Sequence, residues 1–144
     1  MSRYQFSMEK ILDWRKDKAK QAQQTVLEAE ANLHKEQATL EKLLRESLQL
    51  KYADLKSNDI DGLRHHDLYK SLVSEKVVTQ KTRVNRAEEV VREMQAALAE
   101  SHKEKRVLEK LQEKEESAYY LAEKKEEQKE LDEMATIQFG RFLY

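Results

Sequence analysis

An all-α fold, two long helices turned back into an antiparallel coiled-coil hairpin, is predicted by three features of this sequence. Strong helix formers fill most of the 144 positions, with no proline and only two glycines. Apolar residues recur every seven positions in both halves of the chain. Turn-forming residues gather in one place, the stretch "LKSNDIDGLRHH", which holds the single glycine before residue 140. Disorder is the competing class for a chain with 38% charged and 7% aromatic residues. The regular repeat argues against it.

Helix 1 is expected over about residues 3–57, roughly 80 Å at 1.5 Å per residue. Leu12, Ala19, Val26, Leu33 and Leu40 stand seven apart; Ala22, Ala29 and Leu43 follow three places after members of that series, and Leu50 stands seven beyond Leu43. Such a narrow stripe needs a second helix to cover it.

The turn is placed near Ser57–Gly62 by a register argument. In an antiparallel hairpin, paired residues have numbers with a constant sum. Leu12 with Leu108, Val26 with Met94, Ala29 with Val91, and Leu33 with Ala87 share one sum, whose midpoint is Ile60. Any two heptad series match at some register, and the neighbouring registers move the fold point by three or four residues. The local chemistry selects among them. Asn58 can take a left-handed cap conformation, Asp59 or Asp61 can cap the next helix, and Gly62 is permissive.

Helix 2 is expected over about residues 63–138, with Val73, Val77, Val84, Ala87, Val91, Met94, Leu98 and Leu108 on its seam. Large residues face small ones, as where Ala22 meets Leu98. Three layers are weak: Glu36 against Val84, Leu40 against Gln80, and Ala19 against Ser101. Polar residues there either fix the register or are merely tolerated. The same register sets Met1 opposite Tyr119, so the chain after about residue 120 overhangs its partner. That overhang is charged through "EKKEEQKELDE" and then apolar in Met134, Ile137, Phe139, Phe142, Leu143 and Tyr144. The whole reads as one coiled-coil domain, residues 1–144.

Several classes of function lack their chemistry. A net charge of −1 gives no bulk attraction to nucleic acid or anionic lipid. Without cysteine there is no disulfide framework and no thiolate. No apolar run approaches the roughly 20 residues of a membrane span, so a soluble, cytoplasmic protein is expected, without membrane insertion. The histidines are His34, His65, His66 and His102. Adjacent His65 and His66 point about 100° apart on a helix and cannot share a metal as an i,i+4 pair could. No glycine-rich loop is present to cradle phosphate. A two-helix fold has no cavity in which carboxylates could be tuned for acid–base work. A non-enzyme with no metal and no cofactor is expected.

Apolar residues outside the seam are the remaining signal. Leu44, Leu48, Tyr52 and Leu55 step by three or four, and Leu68, Tyr69 and Leu72 lie at matching height across the turn. They are either a seam that widens near the turn or a surface for a partner. Tyr4, Phe6 and Trp14 form a second group, a local cap on the open end of the hairpin or a docking site.

The opening "YQFSMEKILDWR", the later "EEQKELDEMA" and the "LYKSLV" after the turn together resemble the FliJ family, a small soluble component of the bacterial flagellar export apparatus. The resemblance spans nearly the whole chain. The turn is shorter and poorer in glycine than in that family, and the terminal "FGRFLY" has no counterpart there. The resemblance implies a coiled coil similar to the central stalk of rotary ATPases. It would enter the hexameric export ATPase, promote its assembly and activity, and link it to the cytoplasmic domain of the export gate protein. Escort of export chaperones is a further role implied, at the inner membrane of the flagellar base. If the resemblance holds, the aromatic N-terminus and the unpaired helix beyond Tyr120 make this end the one expected to enter the ATPase ring, with Phe6, Trp14, Gln128, Lys129, Asp132 and Glu133 near the contact. Leu44, Leu48, Tyr52, Leu68, Tyr69 and Leu72 are expected to meet the gate. Two alternatives fit the same periodicity: a stalk protein of a virulence secretion system, and a passive coiled-coil scaffold.

Overall fold

Hydrophobic periodicity becomes two helices in the computed structural model, which describes residues 3–52 and 60–143. Helix α1 is Glu9–Tyr52 and helix α2 is Ile60–Leu143. The two pack against each other, and no strand occurs among the described residues. By its packing, the chain falls into two compact units. One is Met1–Ala19 with Ser101–Tyr144, and the other is Lys20–Glu100.

In the unit of residues 20–100, the predicted seam is the buried face. Val26 of α1 is buried, as are Val73, Val77, Val84, Ala87 and Val91 of α2. Ala22, Ala29, Leu33, Leu40, Leu43, Met94 and Leu98 are half-buried, as a pair of helices with no third layer allows. Each well-buried aliphatic side chain contributes roughly 1.5–3 kcal/mol. Three hydrogen bonds cross between the antiparallel helices in this unit. The Tyr69 hydroxyl donates to the Glu46 carboxylate, and Gln80 Nε2 donates to the Glu36 main-chain carbonyl at 2.9 Å. Gln80 also donates to the Glu36 carboxylate, so this polar side chain is satisfied although only 4% exposed.

In the other unit, Leu12, Ala19, Ser101 and Leu108 are buried as the register predicts. Here α1 begins later than expected. Residues 3–8 are not helical, and the helix opens with the Leu12 N–H donating to the Met8 carbonyl at 2.9 Å. The reason is a set of competing bonds to α2. Ser7 donates its main-chain N–H to Glu115 at 3.3 Å and its hydroxyl to the same carboxylate at 2.9 Å. Phe6 tucks into a cluster with Leu12 and Leu108. A helical start at residue 3 would forfeit both.

Two further boundaries differ from expectation. Of the proposed turn, Ser57, Asn58 and Asp59 lie outside the described residues, as does Leu55. Ile60, Asp61 and Gly62 are already helical, and no described glycine has positive φ. Gly62 therefore does not serve as the permissive turn residue, since ordinary helical angles are open to glycine at a cost of about 1 kcal/mol relative to alanine. At the other end, α2 runs to Leu143 rather than 138, taking Gly140 into the helix.

Candidate functional site

Aromatic residues close the end of the hairpin where α1 begins. The ring of Tyr4 lies 5.4 Å from that of Tyr119 and 6.5 Å from that of Tyr120, and the two neighbours meet edge to face at 5.6 Å. Separations of this size are the favourable range for aromatic pairs. The Tyr4 hydroxyl donates to the Gln112 carbonyl at 3.4 Å. Burial, then the negative charges of Glu115 and Glu116, and then Tyr120 push the Tyr4 phenol above its ordinary pKa. Met1, expected opposite Tyr119, is outside the described residues; Tyr4 stands against Tyr119 instead. The non-helical segment ahead of Glu9 advances further per residue than a helix, which breaks the constant sum there.

The six residues expected near an ATPase contact are not equivalent. Phe6 is 6% exposed and belongs to the core cluster with Leu12 and Leu108, which leaves little of it to touch a partner. Trp14 is 60% exposed. Lys18 holds its ammonium 5.4 Å from the centre of the Trp14 ring and pairs with Glu104 at 3.5 Å. Arg15 reaches the same carboxylate at 3.9 Å. Pairs this exposed contribute about 0–1 kcal/mol, so they orient the indole more than they stabilise the fold. Gln128 donates to Asp132 one turn later at 3.1 Å, and Lys129 and Glu133 are exposed. Of the six, only Gln128 and Asp132 are brought together by a bond. Trp14 and the overhang residues are far apart, because the layer opposite Trp14 precedes Gln128 by about 20 residues, roughly 30 Å of helix.

The apical six are all exposed, from Leu44 at 40% to Tyr52 at 78%. A seam widened to include them is not what forms. Nor do they share one face. Tyr69 bonds Glu46, and Leu72 lines a groove with Thr39, Leu43 and Lys76, so both lie on the flank of Thr39 and Glu46. At about 100° per residue, Leu44 and Leu48 fall on the opposite flank of α1, while Tyr52 and Leu68 point backwards from their helices.

Sequence reasoning overlooked one feature of the overhang. Leu131, Met134 and Ile137 line a single groove with Glu127, Glu130 and Glu133. Their spacing of three would have revealed it, but the charge run drew the reading towards a plain solvated face. Two exposed apolar residues in the same unit as Trp14 were overlooked as well, Ile11 at 46% and Leu111 at 44%. Among the described residues, no group of three or more His, Asp or Glu is arranged to hold a metal ion, and no helix is long and apolar enough to cross a membrane.

A family model described as flagellar FliJ protein matches residues 4–142. Neither the comparison with curated proteins nor that with solved structures gives a match.

Proposed function

This chain belongs to the FliJ family and is a component of the flagellar export apparatus; from that premise we propose that it acts as a stalk-like coiled coil for the hexameric export ATPase. The family is non-catalytic and chaperone-like, so hydrolysis is the partner's chemistry. The stalk binds the ATPase through Trp14 and the overhang residues Gln128, Lys129, Asp132 and Glu133, promoting ring assembly and activity. Phe6 supports that end from the core. The observation that carries this reading is the stretch of α2 after Tyr120. It stays helical to Leu143, yet Leu121, Leu131, Met134, Ile137, Phe139 and Phe142 are each more than half exposed. Apolar side chains set on an ordered, unpaired helix are suited to a partner.

A second contact, with the cytoplasmic domain of the export gate, falls to the apical residues. Their division into two flanks means that a single gate surface takes Tyr69 and Leu72 on one side, or Leu44 and Leu48 on the other. Tyr52 and Leu68 then lie at the margins. In the cell this puts the protein in the cytoplasm, peripherally associated with the inner membrane at the flagellar base, where it also escorts export chaperones.

Truncation after Tyr120 tests the ATPase contact. Stimulation of ATP hydrolysis should be lost while the helical signal of residues 1–120 persists. Unchanged stimulation by the truncated chain would move the contact elsewhere. A full-length chain that neither binds the hexamer nor alters its rate would leave a passive scaffold.

A further inference from the structure

The overhang sorts its glutamates and lysines by face, whereas Asp132 lies on the lysine side and Arg141, one turn beyond Ile137, lies on the glutamate side. Glu123, Glu126, Glu127, Glu130 and Glu133 all lie within about 70° of the line between Met134 and Ile137, at about 100° per residue. Lys124, Lys125 and Lys129 lie more than about 100° from that line. None of the five glutamates is ion-paired in the structure, although Glu123 accepts a bond from the Tyr119 hydroxyl at 3.4 Å. Lysines are thus close at hand along the chain but are kept off this face. Carboxylates spaced three and four apart repel one another, an arrangement that works against the helix in isolation.

We propose that this face docks an amphipathic helix of another protein, one whose apolar stripe is flanked by lysine and arginine. Leu131, Met134 and Ile137 supply the apolar contact, and Glu127, Glu130 and Glu133 at the groove supply the complementary charge. An acidic partner would meet like charge, as would an anionic lipid surface. A second copy of this face is disfavoured for the same reason, since acid would oppose acid. The inference rests on the stalk reading only for the identity of the protein that carries the basic helix. The face itself is argued from the overhang alone.

Two labelled synthetic helices probe it. Each carries a leucine stripe, flanked by lysine in one and by glutamate in the other. Fluorescence anisotropy with the full chain should show binding of the lysine helix, weakened as salt is raised, and none of the glutamate helix. Glu127→Gln with Glu130→Gln and Glu133→Gln should weaken binding about tenfold, as partly screened rim charges would. Met134→Ser with Ile137→Ser should weaken it at least as much. Equal binding of both helices, or an unchanged affinity in either set of variants, overturns the proposal. So does a dimer that Met134→Ser with Ile137→Ser converts to monomer, because a second copy would then own the face. All these positions are exposed, so the variants remain folded. ATPase stimulation by the serine variant separates the two readings. Stimulation kept while helix binding is lost leaves the docking face and removes Met134 and Ile137 from the ATPase contact. Helix binding kept while stimulation is lost removes the docking inference and keeps the stalk.

Discussion

Two stretches of the same helix, α2 from Val73 to Leu98 and α2 after Tyr120, are built from similar residues and meet opposite fates. In the first, Val73, Val77, Val84 and Val91 are each no more than 9% exposed. In the second, Leu131, Met134 and Ile137 are 60%, 64% and 60% exposed. Both are helical, since helix formation needs only main-chain bonds and good formers. What differs is whether another helix lies alongside. An apolar stripe is a core only where a partner covers it. The same stripe left uncovered is a surface.

The contrast can be broken most forcefully at the buried end. Leu12 is 2% exposed and packs with Phe6 and Leu108. Leu12→Ala should cost about 2–5 kcal/mol, read from urea unfolding with an unchanged slope. A loss below about 0.5 kcal/mol, the range of an ordinary surface substitution, would remove that cluster from the core.

Next in size is the polar layer. Replacing Glu36 and Gln80 together by leucine should raise stability by about 1–3 kcal/mol, because the buried bonds are exchanged for apolar contact. If the layer fixes register, the gain has a consequence for crosslinking. Ala29→Cys with Val91→Cys should form one intrachain disulfide in the parent sequence. In the leucine background its yield should fall, and a separate variant one layer away, Ala29→Cys with Val84→Cys, should crosslink as well. Crosslinking of the 29/91 pair alone in both backgrounds would make Gln80 a tolerated residue and nothing more.

Smaller effects are expected where the side chains are exposed. Leu131→Ala in the overhang, and Leu48→Ala with Tyr52→Ala near the apex, should each change stability by less than about 0.5 kcal/mol. Loss of gate binding with unchanged melting would support the apical contact. A large fall in melting temperature with gate binding intact would make those residues structural.

The smallest effect is a matter of alkaline pH. The bond from Tyr69 to Glu46, then the charge of that carboxylate and then burial hold the Tyr69 phenol above its ordinary value of 10.0. The folded chain therefore keeps this proton after the unfolded chain has lost it. Its contribution is complete below the ordinary value and is lost as pH rises through the raised one. Tyr69→Phe should make the fall in stability above pH 10 shallower, as followed by unfolding at several alkaline pH values. An identical pH profile would show the bond to be absent in solution.

Much of the arrangement was legible in the residues. The seven-residue series named the buried seam of both helices, because burial in a pair of helices depends on a periodicity that can be counted. Constant-sum pairing aligned Leu12 with Leu108 and set Ala19 and Ser101 in one buried layer, since a rise of about 1.5 Å per residue is the same in both helices. The charged, apolar-ended overhang followed from the same count. Only the tertiary structure decided the rest. Ser7 and Phe6 prefer contacts with Glu115 and Leu108 to another turn of helix, and those contacts join residues more than a hundred positions apart. The apical residues divide between two flanks because a helix spreads residues three and four apart to either side of its seam, and the second helix determines which side each one faces. Periodicity is a local property of the chain and can be read along it. The face that stays uncovered depends on where the partner helix ends, which is settled by packing.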